Sequence, residues 1–70
     1  MLRELMKQKG ISQRELAEKA GCHYSYISLI ANGLRFPRPD ILDRIAGALG
    51  ITPEECYRLL RDQQRGQASA

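Results

Sequence analysis

The 70-residue sequence contains one histidine, two cysteines and no apolar run long enough to cross a bilayer. Each shortage removes a class of function. Cys22 and Cys56 lie far apart and follow no secretory h-region, so a disulfide scaffold is excluded and a reduced, cytoplasmic setting is expected. Cys22 sits beside His23, but only Cys56 and no second histidine remain to complete a ligand set, whereas structural zinc takes four. No metal or cofactor is expected. Cys22 reads instead as a small buried apolar residue at a turn, and Cys56 as part of the inner face of the last helix. Clustered carboxylates and a glycine-rich phosphate loop are also missing, which leaves no constellation for catalysis. No internal repeat is visible, and a chain this short makes one domain whose economical core is all-helical, with local contacts.

What is present is organised around Ser12 to Gly33. Ser12 and Glu15 have the spacing of a capping box, in which the serine hydroxyl and the glutamate carboxylate each take a backbone N–H. A helix therefore starts after Ser12. Leu16, Ala17 and Ala20 recur at helical spacing, Arg14, Glu15, Glu18 and Lys19 fill the remaining arc, and Gly21 ends the helix. A second helix is expected from about His23 to Asn32, with Ile27 and Ile30 inward and Asn32-Gly33 as its stop. Two short helices joined at Ala20-Gly21-Cys22 read as a helix-turn-helix, which points to DNA.

Ahead of this pair, Leu2, Leu5 and Met6 share one face of a first helix closed by Gly10. Behind it, Leu34 to Pro39 forms an extended basic connector, because each proline lacks an amide donor and disfavours the helical conformation in the residue before it. Pro39-Asp40 opens a fourth helix with Ile41, Leu42, Ile45, Ala46 and Leu49 as its stripe, ended by Gly50. Thr52 to Glu55 opens a fifth by the same logic as Ser12, with Cys56, Tyr57, Leu59 and Leu60 as its apolar residues. The domain is expected to occupy residues 1–62, with 63–70 as a disordered polar tail. Positive charge follows the same division: residues 1–38 hold seven Lys/Arg against three acids, and residues 39–70 hold four against five. The half with the helix pair carries the cations a phosphate-binding surface requires.

Leu5, Gly10-Ile11-Ser12-Gln13, Glu15-Leu16-Ala17, Ala20-Gly21, Ile27-Ser28, Ile30, Asn32-Gly33, Pro37 and Ile45 to Ile51 together resemble the helix-turn-helix XRE family of lambda-type repressors and Cro. The resemblance covers about residues 2 to 60. It implies an all-α, compact five-helix bundle and a role in transcriptional regulation, as a repressor bound to operator DNA. It also implies that the third helix enters the major groove while the second crosses the backbone.

On a helical wheel with Ile27 inward, Ser25, Ser28, Leu29 and Asn32 point away from the core, and Tyr24 and Tyr26 lie on the shoulders. The expected base-reading set is His23, Tyr24, Ser25, Ser28 and Leu29. Phosphate contacts are expected from Gln13, Arg14, Arg35, Arg38 and Tyr26, Gln13 resembling the family glutamine that bonds a phosphate and supports the reading helix. Tyr24 and Tyr26 also admit a packing role, Ser28 a spacing role, and Asn32 a helix-ending role. Leu29 suits a thymine methyl and cannot hydrogen-bond a purine edge.

Many family members pair an arginine in helix one with a glutamate near the end of helix three. This chain has Met6 and Ala31 there. Loss of both partners of a buried pair is tolerated, so Met6 is expected to meet Ala31 across the same gap. A homodimer on two half-sites is expected, for which the sequence offers only a faint surface: Tyr57, Leu59 and Leu60 are its candidates, but packing on helices one and four is their ordinary and favoured explanation. A second functional reading makes the chain the DNA-binding antitoxin or controller of a small operon, acting through a partner protein.

Overall fold

A computed structural model describes the backbone of residues 1–68 and the side chains of residues 1–64. Five helices follow in order: α1 (Leu2–Lys9), α2 (Gln13–Ala20), α3 (Tyr24–Ala31), α4 (Pro39–Leu49) and α5 (Pro53–Ala68). Their starts follow local chemistry. At α2 the Ser12 hydroxyl accepts from the Glu15 amide and the Glu15 carboxylate from the Ser12 amide, both at 3.1 Å. At α5 the Thr52 hydroxyl and the Glu55 carboxylate repeat the exchange, again at 3.1 Å. Those donors pull the Glu55 carboxyl below its ordinary range, the Thr52 backbone bond being the largest cause.

The ends of α1 to α4 share one backbone device. A glycine in the left-handed conformation (Gly10, Gly21, Gly33, Gly50) is followed by a residue whose N–H reaches five positions back: Ile11 to Met6, Cys22 to Ala17, Leu34 to Leu29 and Ile51 to Ala46, at 2.9 to 3.0 Å. This is a Schellman motif, and it returns the chain toward its own helix.

The core forms where these helices meet. α2 packs against α3 and α4, α4 also against α5, and α1 closes on α4 and α5. Leu2, Leu16, Ile27, Ile30, Ile41, Ile45, Leu49, Cys56 and Leu60 are fully buried. Each such aliphatic side chain stabilises the fold by roughly 1.5–3 kcal/mol relative to exposure. Met6 and Ala31 are buried in the same cluster.

Leu60 takes the packing role rather than a dimer contact, because α5 turns this side inward against the other helices. Two expectations change. Cys22 is half-buried rather than buried; burial raises its thiol pKa, against the opposing pull of Arg38 and Arg44. The boundary at residue 62 falls inside α5, which continues through Ala68; the remainder of the expected tail, residues 69–70, lies outside the described residues. Gln63 explains the continuation. Its buried amide oxygen accepts from the Leu2 N–H at 3.0 Å, and its amide nitrogen donates to the Ile30 carbonyl. One side chain thus joins the start of α1 and the end of α3 to α5.

Candidate nucleic-acid interface

α3 buries Ile27, Ile30 and Ala31 and leaves the opposite side uncovered. His23, at its N-cap, is exposed; its ring Nδ1 accepts from the Ser25 amide at 3.1 Å and lies 2.8 Å from the Ser25 hydroxyl. Tyr24 is 45% exposed and Leu29 36%, while Ser25 is also open to solvent. Ser28 and Asn32 are half-buried, which corrects the wheel. The Asn32 amide folds back to the Ser28 carbonyl at 2.8 Å and closes the helix. The open face is therefore His23, Tyr24, Ser25 and Leu29, with Ser28 recessed between them.

Cations border this face from two directions. From α2, the Arg14 guanidinium lies over the Tyr24 ring at 5.6 Å, and half-buried Gln13 occupies the first position of the helix. From the connector, the Arg35 guanidinium lies over the Tyr26 ring at 5.8 Å. Such exposed cation–π contacts are worth about 0.5–1 kcal/mol and chiefly fix side-chain position. The half-buried Tyr26 hydroxyl accepts from the Arg38 backbone N–H at 3.1 Å, tying the connector to α3. The Arg38 side chain meets Asp40 at 3.8 Å, with both exposed. An exposed pair of this kind contributes little stability and leaves the guanidinium accessible. Between turn, helix and connector opens a cleft of about 550 Å³ lined by Gly21, Cys22, His23, Tyr26, Arg35, Phe36 and Arg38.

Sequence reasoning missed three supports of this face. Arg44 of α4 donates to the Ala20 carbonyl at 3.2 Å, so a cation satisfies the C-terminal end of α2 at the turn. At Gly21 the φ of +69° disfavours any side chain, and a Cβ would stand 3.0 Å from the Arg44 Nη1, which would have to shift. The second support is Gln63, already described. The third is Leu34, 66% exposed, whose N–H bond to the Leu29 carbonyl sets the two leucines side by side in the chain path. An apolar residue directly after the stop glycine was the available signal for Leu34. Arg44 and Gln63 had none, since their partners lie 24, 33 and 61 positions away.

Among the described residues, no three His, Cys, Asp or Glu side chains gather as metal ligands, and no helix is long and apolar enough to cross a membrane. The buried Cys56 thiol is pushed up to about 11 by burial, with the Asp43 carboxylate adding to the effect, so it stays protonated at neutral pH. On the remaining surface, Tyr57 is 46% exposed and stacks edge-on against Phe36 at 5.3 Å, and Leu59 is half-buried.

A short helix pair around a closed turn, with its second helix uncovered and flanked by arginines, defines a DNA-binding module rather than a catalytic one. Residues 2–56 match the family HTH_3, Helix-turn-helix, and the chain belongs to that family. Two uncharacterized HTH-type transcriptional regulators of Mycobacterium tuberculosis, from strains CDC 1551 / Oshkosh and H37Rv, are each 43% identical to it over 47 residues. The match covers 67% of this chain and 34% of each relative, so the chain spans about a third of the length of the curated relatives it matches.

Proposed function

We propose that the chain is a sequence-specific double-stranded DNA-binding regulator of transcription that acts as a repressor, occupying its operator and excluding other proteins from it. The observation that carries this reading is the uncovered side of α3, bordered by Arg14, Arg35 and Arg38. α3 lies in the major groove and α2 crosses the backbone. His23, Tyr24, Ser25, Ser28 and Leu29 meet base edges; Gln13, Arg14, Arg35, Arg38 and Tyr26 meet phosphates. The printed description of the mycobacterial relatives as transcriptional regulators supports the role.

A single module of this size makes too few contacts for tight binding alone, so the chain acts as a dimer on half-sites one helical turn apart. With Leu60 internal, Tyr57 and Leu59 are the apolar residues of α5 left for that contact. The setting is the reduced cytoplasm, where both thiols stay free.

Selection of bound sequences from a random duplex pool tests the reading. A two-fold symmetric consensus is expected, and salt dependence should weaken by about one unit of slope when Arg35 or Arg38 becomes alanine. Absence of any enrichment overturns the proposal.

A further inference from the structure

The first turn of a helix leaves backbone N–H groups without intrahelical partners, and a cap must supply an acceptor. At α3 that acceptor is a ring nitrogen, His23 Nδ1, 3.1 Å from the Ser25 N–H. An amide hydrogen is fixed by its peptide plane, so the atom it meets has to present a lone pair. Nδ1 therefore carries no proton. In a neutral imidazole the proton then resides on Nε2, which makes that atom a donor only.

The same contact determines the neighbouring hydroxyl. Ser25 Oγ lies 2.8 Å from Nδ1. With no proton on the nitrogen, the hydroxyl hydrogen points at Nδ1 and shares its one lone pair with the Ser25 N–H in a three-centre contact, and Oγ is left with its own lone pairs for any further partner. A serine is ordinarily free to donate or accept. This one is not.

We infer that His23 and Ser25 form a couple of fixed polarity on the exposed start of α3: His23 Nε2–H recognises a hydrogen-bond acceptor of DNA, and Ser25 Oγ recognises an exocyclic amino group of adenine or cytosine. The inference rests on the DNA-binding reading and adds to it the sense of each hydrogen bond. Acceptors for Nε2–H come from two sources, a phosphate oxygen or the N7/O6 edge of a purine. Arg14 from α2, and Arg35 and Arg38 from the connector, line the clefts that meet at His23, so a docked backbone passes within reach of the ring.

Two measurements test this. In the free, ¹⁵N-labelled chain, the uncharged His23 ring should show a pyridine-like Nδ1 and a protonated Nε2; an uncharged ring protonated on Nδ1 overturns the assignment without reference to DNA. The variant His23→Ser keeps a capping oxygen and removes the ring donor. Its melting temperature should stay near that of the parent, while affinity for the enriched duplex falls about tenfold. His23→Ala should lower both. A loss equal on enriched and random duplex assigns the acceptor to phosphate, and a loss tied to one base pair assigns it to a purine edge. Unchanged affinity in His23→Ser overturns the donor role. A parent chain that binds no duplex overturns the regulator reading and the donor role together, while the ring spectrum still decides the tautomer.

Discussion

The ends of α1, α2 and α4 and the end of α3 use the same backbone device and put it to different use. After the glycine, Ile11, Cys22 and Ile51 turn back toward the core and are half-buried, and the residues they bond to, Met6, Ala17 and Ala46, are buried. At α3 the corresponding pair, Leu34 and Leu29, is exposed on both sides. Three ends thus use an apolar pair to close the fold, whereas the fourth leaves it on the surface. A leucine pair kept in water costs solubility and returns nothing to stability. Under the regulator reading its partner is the apolar part of a major groove, the thymine methyl.

The comparison breaks first if the inner side of α3 proves tolerant. Ala31→Glu places a carboxylate in the buried cluster without a partner and should cost roughly 3–5 kcal/mol, read from denaturant midpoints. An unchanged or raised melting temperature would mean that Met6 and Ala31 do not close that gap. Next in size, Gln63→Ala strips partners from the Leu2 N–H and the Ile30 carbonyl and should cost about 2 kcal/mol. Truncation after residue 62 should cost at least as much; if it is silent, α5 is not what holds the end of α3.

The sharpest version exchanges equivalent residues. Ile51→Ser should cost about 1 kcal/mol of stability for its half-buried side chain. Leu34→Ser and Leu29→Ser should each stay within about 0.5 kcal/mol and weaken binding to the enriched duplex instead. Equal stability losses at residues 34 and 51 would erase the distinction. The smallest effect is electrostatic. Because the Glu55 pKa is lowered by its Thr52 bonds, its contribution is present above the ordinary carboxylate range near 4.5 and is lost as pH falls through the lowered value. Glu55→Gln should flatten that part of the acid unfolding curve, and an unaltered curve would show that the cap carries no pH dependence.

Legibility in the sequence followed distance along the chain. The caps of α2 and α5, the glycine stops and the apolar stripes are decided within four or five residues, and α1 to α4 and the start of α5 were expected within a residue or two of where they lie, whereas the end of α5 was not. The exposure of Tyr24, Ser25 and Leu29 followed from the same spacing, whereas the phosphate roles of the arginines around α3 came with the family resemblance. Ser28 lies deeper than expected because a wheel gives direction without depth, and the Asn32 amide folds back onto its carbonyl. Gln63 was misjudged, and Leu60 left between two roles, because only tertiary partners decide whether a side of α5 faces inward. Arg44 carries no local signal in the sequence, since its acceptor belongs to a helix two elements earlier.

The Gln63 bridge also sets an order in time. During synthesis the N-terminal part of a chain emerges first and begins to fold at once. Leu2 and Ile30 will have left the ribosome well before residue 63, so until α5 emerges their polar backbone groups must stay wet and the interior around them open. The helix pair proposed to meet DNA is synthesised early and completed late, when the last helix reaches back to the first.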